Sequence, residues 1–268
     1  MTIGIGVLCS SLPEPHIPRP DTIILLSDTM GSTDTDSVDE LHKMFIDEES
    51  GFYAVCAGRC EKAADLMPMI KSELLQLPAR THGTFIHALN KAANDHRTQH
   101  FAYDVRLPKY TVEPQRVLQA DEMLKEFQSY SVGAELLVGL FDDAGMGLLY
   151  YVGAEYGGSL VHLCQFPGYL AIGSGAYNAT FWLNFRAQSQ GGNVLRSSYH
   201  VLEAARMAAR SPTVNEKIEM VIASAGGFNV LTSKEPEKVG CPISLNVLED
   251  MWEKFKPRST KKIGILSK

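Results

Sequence analysis

Met1-Thr2-Ile3-Gly4-Ile5-Gly6-Val7 opens the chain, and Leu8-Cys9 completes the run. From Ile3 to Cys9 the residues are apolar or glycine, so the stretch reads as a short buried strand that begins almost at the first residue. Removal of Met1 would leave Thr2 at the chain end, with a hydroxyl and a free α-amine on one residue. Such an amine titrates at about 7.7–8.0, so much of it is a neutral base near pH 7. A hydroxyl beside its own base is a self-contained activated nucleophile.

The next elements decide what that strand pairs with. Ser10 to Asp21 holds Pro13, Pro15, Pro18 and Pro20, and reads as a loop without regular pairing. Thr22 to Ser27 is a second short strand, so the first two strands form a long-looped hairpin. Asp28 ends it. Ser32 to Glu40 is polar and acidic and is expected to be a solvated loop. Leu41 to Ile46, which includes Lys43, is expected to be a third strand. Phe52 to Ala57 is a fourth, ending at Gly58. A helix is predicted over Arg59 to Leu77, with Ala63, Met67, Ile70, Leu74 and Leu77 on one face and a kink at Pro68. A second is predicted over Thr84 to His96, and a third over Gln115 to Tyr130. Thr98 to Pro114 shows no clear period.

Farther on, Gly133 to Phe141 and Met146 to Val152 read as strands around an Asp142-Asp143-Ala144-Gly145 turn. Ser159 to Cys164 and Tyr169 to Ile172 are expected to continue the same sheet. Asn178 to Gln188 and Asn193 to Arg210 read as helices. Lys217 to Ser224 and Phe228 to Thr232 read as a hairpin, and Leu245 to Phe255 as a last helix. Strands, helices, strands, helices, strands is a layered order, which two stacked sheets flanked by helices would satisfy. Residues 1–255 are expected to form a single domain, extended over about 95–130. Residues 256–268 are basic and read as a loose tail.

The totals narrow the classes of function. The 268 residues are 45% apolar and 21% charged, which suits a globular chain with a sizeable core. A net charge of −6 argues against a nucleic-acid binder. No apolar run is long enough for a membrane span, and no basic-then-apolar opening suggests a secretory signal. Cys9, Cys56, Cys60, Cys164 and Cys241 are odd in number and scattered, and Cys56 and Cys60 are spaced unlike a CxxC pair. They read as reduced thiols of a cytoplasmic protein, mostly small core residues. His96 and His100 lie four apart, but no third ligand is evident, so no metal is expected.

Four features then fall in order: Thr2 at the start of the first strand, Asp28 at the end of the second in Leu25-Leu26-Ser27-Asp28-Thr29-Met30-Gly31-Ser32, Lys43 fifteen residues later, and Ala57-Gly58 between a strand and a helix. A later Gly173-Ser174-Gly175 follows a strand and precedes a helix. In this order and spacing the chain resembles the proteasome β-subunit family of N-terminal nucleophile hydrolases, including the simpler bacterial proteasome-like proteins. The resemblance runs from Thr2 to about Thr232. It implies an α+β fold, a four-layer αββα sandwich of two stacked, mainly antiparallel sheets flanked by helices.

It also implies roles. Thr2 Oγ would attack an amide carbonyl while its own amine takes and returns the proton. Lys43 would favour the neutral amine and the developing alkoxide, and Asp28 would hold Lys43 charged and aimed. The Gly58 N–H, at a helix start, would face the oxyanion, and Ser174 would position the amine or a water. No cofactor is implied. A peptide or unfolded-protein substrate, a homo-oligomeric ring or stacked assembly, and an ATP-dependent unfoldase as partner are. The loop between the first two strands and the region from about Asp95 to Tyr130 are longer than in the simplest members, and one motif departs. Members of this family carry an Asp and, three residues on, a Ser-Gly where this chain reads Arg210-Ser211-Pro212-Thr213-Val214-Asn215. The favoured reading is a threonine-type peptidase working through Thr2. Two alternatives stand beside it: a catalytically silent proteasome-like scaffold or binding subunit, and an amidohydrolase acting on a small non-peptide amide.

Overall fold

The computed structural model describes residues 3–11, 20–29, 31–32, 37–38, 43–106, 120–153, 161–210, 217–232 and 243–255. Its strands are β1 (Ile3–Cys9), β2 (Thr22–Asp28), β3 (Gly31–Ser32), β4 (Ser37–Val38), β5 (Met44–Asp47), β6 (Phe52–Gly58), β7 (Ala134–Phe141), β8 (Gly147–Gly153), β9 (Val161–Leu163), β10 (Tyr169–Gly173), β11 (Ile218–Ser224) and β12 (Gly227–Thr232). Its helices are α1 (Cys60–Leu75), α2 (His82–Phe101), α3 (Ala120–Ser129), α4 (Ala176–Phe185), α5 (Val194–Ala208) and α6 (Leu245–Phe255).

Two five-stranded antiparallel sheets result, ordered β10-β1-β2-β11-β12 and β5-β6-β7-β8-β9. Strand periodicity sorts their side chains into three cores. Ile3, Ile5, Val7, Ile24 and Leu26 face outward under α4, α5 and α6. Phe52, Ala54, Leu136, Val138 and Tyr150 face the other way, under α1 and α2. Leu8, Ile23, Leu25, Val55, Leu137 and Leu149 fill the space between the sheets. The layers are helix, sheet, sheet, helix. All seven residues of β1 and of β2 are buried, which is why both strands read as unbroken apolar runs rather than alternating ones.

The two glycines of β1 set the distance between the sheets. A Cβ at Gly6 would come within 2.9 Å of both Leu149 methyls, and one at Gly4 within 3.2 Å of Val55 Cγ2. The sheets meet over these positions without side chains from β1, a close approach only glycine permits.

Several expectations are corrected. Part of the Ser32–Glu40 stretch is not loop: Gly31–Ser32 and Ser37–Val38 pair as a short ribbon. Lys43 stands one residue before its strand. Its carbonyl accepts a bond from Cys56 N, but the ladder starts at Met44. The first helix begins at Cys60, with Arg59 as its cap, and runs through Pro68. The second helix starts on a Thr81–Thr84 capping box and continues to Phe101, then into a π-helical turn over Ala102–Arg106. Its last turns carry no apolar period because tertiary contacts hold them. The buried Arg97 guanidinium donates to the Phe127 and Gln128 carbonyls of α3 and sits 4.5 Å from the Phe127 ring centre.

Tyr169–Gly173 does not continue the β7–β8–β9 sheet. It crosses over and pairs with β1. The crossing is made just before it, where the Gly168 carbonyl accepts from Leu8 N at 2.7 Å. Residues 12–19, which include most of the proline-rich loop, lie outside the described residues. So do 107–119 of the extended segment, Ser211 to Asn215, Cys241 and the 256–268 tail.

Candidate functional site

The register of β1 and β2 brings two sequence-distant points together. Gly4 pairs with Ser27 and Ile5 with Leu26, so Ile3 stands opposite Asp28 at the end of the ladder. Asp28 Oδ1 accepts from Ile3 N at 2.9 Å and from Lys43 Nζ at 2.8 Å. One carboxylate oxygen thus holds both the backbone next to Thr2 and the buried ammonium. Both side chains of the ion pair are 0% exposed. Asp28 Oδ2 is buried and has no hydrogen-bond partner among the described residues.

A fully buried ion pair is weak as a stabilising device, because desolvation of two charges offsets most of their attraction. An orphan carboxylate oxygen adds to the cost. Such an arrangement is kept for a reason other than stability more often than a surface pair is. Thr2 itself lies outside the described residues. Its chain neighbour Ile3 fixes the end of β1 against Asp28.

Gly58 closes β6, pairing with Ala134, and its φ of +78° turns the chain toward α1. A Cβ there would lie 2.3 Å from the Gly133 carbonyl oxygen, so no side chain fits. The helix begins two residues later, which corrects the placement of Gly58 at a helix start. The Arg59 N–H, the next along, donates to Gly133 O at 2.9 Å. Cys56, two residues before Gly58, donates its N–H to the Lys43 carbonyl at 2.9 Å, which ties this strand end to the ion pair.

Ser174 is exposed and follows β10, in the turn before α4. The β1–β10 ladder ends with Ile3 opposite Gly173. Ser174 is therefore the next residue after Gly173, as Thr2 is the residue before Ile3. The structure brings Asp28 and Lys43 into direct contact and sets Gly58 and Ser174 at the ends of strands β6 and β10.

One residue at this end of the sheets escaped the sequence reading. Glu135 Oε2 accepts from Gly173 N at 3.0 Å, and its Oε1 accepts from the Tyr151 hydroxyl at 3.2 Å. Glu135 pairs with Ala57 across β6–β7, beside the Gly58 turn. It therefore joins the two sheets where the candidate residues lie. The available signal was a lone carboxylate inside the apolar run Ala134 to Phe141.

The fold is a four-layer αββα sandwich of two antiparallel five-stranded sheets. The chain is similar in structure to a mutant of Anbu from Hyphomicrobium sp. strain MC1. The TM-score is 0.60 and the identity 13%, over 95% of this chain and 94% of that one. No protein-family model and no curated protein sequence matches the chain. Among the described residues no helix is long and apolar enough to cross a membrane, and no group of three or more His, Cys, Asp or Glu could hold a metal ion.

Proposed function

We propose that this protein is an amide hydrolase of proteasome-like type, a threonine peptidase that attacks through Thr2 once Met1 is removed. The observation that carries the reading is the shared oxygen of Asp28, which accepts from both Lys43 Nζ and Ile3 N. A charged amine held dry beside the start of β1 suits a site that must keep a neighbouring α-amine neutral and stabilise an alkoxide. The Lys43 ammonium has N–H donors to spare for that purpose, since among the described residues only Asp28 accepts from it. Gly58 and Ser174 are the proposed oxyanion and positioning residues, and Glu135 steadies the turn that presents Ser174. The substrate is a peptide or unfolded segment. The working form is a cytoplasmic homo-oligomer, with an ATP-dependent unfoldase as its supplier.

Intact mass is the first test. Loss of one methionine exposes the amine, and a hydroxyl-directed covalent inhibitor should then leave its adduct on Thr2. Thr2→Ala should remove turnover and keep the melting temperature. Full turnover in that variant would sink the proposal.

A second reading is a silent scaffold on the same fold, favoured by the absence of an Asp between Arg210 and Asn215. It predicts a retained Met1 and no adduct.

A further inference from the structure

We propose that Cys56 and Cys60 form a dithiol that hydroperoxides convert to a disulfide, and that this change resets the Gly58 turn beside the Lys43–Asp28 pair. The link to turnover rests on the proposed hydrolytic role of Gly58. The thiol chemistry does not.

The two cysteines flank the turn. Cys56 lies in β6 on its helix-facing side, and Cys60 is the first residue of α1; both belong to one buried cluster. Between them the chain turns at Gly58, whose positive φ and lack of room for a Cβ make it a position only glycine fills. The Cys60 thiol donates to the Gly58 carbonyl at 3.6 Å. Cys56 is tied through its N–H to the Lys43 carbonyl. Gly58 is exposed and Cys60 lies just beneath the surface, so a small oxidant has a short path.

Their environments divide the labour. Cys60 is lowered below the ordinary thiol range, first by its hydrogen bond from the Cys56 thiol and further by the Lys43 charge, against the opposing effect of burial. Cys56 is pushed far up, first by its bond to Cys60 and then by burial. One thiol is therefore prone to ionise and attack, and its neighbour keeps its proton until called on. Cys9 and Cys164 are instead held at about 12 and about 11, chiefly by burial, and should stay inert.

The step balances with hydrogen peroxide, the simplest hydroperoxide, as the oxidant. The Cys60 thiolate sulfur attacks one peroxide oxygen and the O–O bond breaks. Cys60 becomes a sulfenic acid, and the departing hydroxide takes up the proton Cys60 had lost, leaving as water. The Cys56 sulfur then attacks the sulfenic sulfur. The S–S bond forms, the S–O bond breaks, and hydroxide leaves with the Cys56 proton as a second water. Both sulfurs are oxidised and the peroxide is reduced. The disulfide strips the Gly58 carbonyl of its thiol donor and ties the first residue of α1 to β6.

Arg59 lies between the two cysteines, which makes the product easy to read. The full-length protein is treated with hydrogen peroxide, alkylated under denaturing conditions and digested with trypsin. Cleavage after Arg59 puts Cys56 and Cys60 on separate peptides, which stay together only through a disulfide. The expected result is a linked pair, lighter by two hydrogen atoms and released by dithiothreitol, with Cys9 and Cys164 still alkylated. Cys56→Ser, which keeps a hydrogen-bond donor beside Cys60, should instead leave a sulfenic acid on Cys60 that dimedone traps. Amide exchange over residues 58–63 should differ between the oxidised and reduced forms. No linked pair, or Cys60 oxidised alone in the unaltered protein, overturns the dithiol. Unchanged exchange with the linked pair present overturns its coupling to Gly58. None of these readouts requires turnover, so they separate from failure of the hydrolase reading.

Discussion

Lys43 Nζ lies 2.8 Å from Asp28 Oδ1 with neither side chain reached by solvent, and the same oxygen accepts the N–H of Ile3. Three segments, the first strand, the end of the second and the entry to the fifth, are thereby held through one atom. Removing either charge strands the other in a dry site. Asp28→Ala or Lys43→Met should each cost about 3–5 kcal/mol, read as a shift of the urea midpoint. Asp28→Leu combined with Lys43→Met should cost less than the sum of the two single changes. If the proposed function holds, the double variant should be stable but without turnover.

Gly58 carries a φ of +78° and has a carbonyl 2.3 Å from where a Cβ would sit. Gly58→Ala should therefore destabilise by more than the ~1 kcal/mol typical of a strained backbone position, since the clash adds to the φ penalty. A denaturation curve within a few tenths of a kcal/mol of the parent would contradict the turn described above.

Glu135 accepts from the Gly173 N–H and from the Tyr151 hydroxyl. Glu135→Gln keeps an acceptor for one of them, while Glu135→Leu keeps none. The leucine variant should lose about 1–3 kcal/mol for a stranded donor, and the glutamine variant less. In a labelling assay on Thr2, the leucine variant should also react more slowly, because the turn that carries Ser174 loosens.

His96 and His200 are both buried and both held at about 4, by burial first, helped by His100 beside His96 and by Arg196 and Arg186 beside His200. In the unfolded chain each returns to about 6.5. The folded state thus binds fewer protons between these values. Stability from this source is complete above about pH 6.5 and falls as the pH drops toward 4, by at most on the order of 3 kcal/mol per histidine. Urea midpoints at about pH 7 and pH 5 measure the slope. His96→Leu should flatten it, because the group that must stay neutral is gone; an unchanged slope would exclude His96 as a source.

Much of the architecture was legible in the linear order of residues. Short, β-branched apolar runs such as Thr22 to Ser27, with prolines before them, read as strands buried on both faces. Asn193, Gly145 and Ala225-Gly226 mark element ends through local backbone preferences. These are short-range properties, carried by a few consecutive side chains. The same reading placed Asp28, Gly58 and Ser174 at ends of elements, but put Lys43 inside a strand that in fact begins one residue after it.

Tertiary contacts decided the rest. That Tyr169–Gly173 leaves its sequence neighbours to pair with β1 follows from a free strand edge, which no local pattern announces. The Arg97 contacts that extend α2, and the Glu135 bonds that join the sheets, depend on carbonyls, amides and rings about 16 to 38 residues away. The bond between Asp28 and Lys43 is of the same kind: the family resemblance implied a pair, but only the closed sandwich removes the water that would otherwise weaken it. Periodicity records which side of an element is dry. It does not record which polar groups will meet there, and in this protein those meetings define the candidate site.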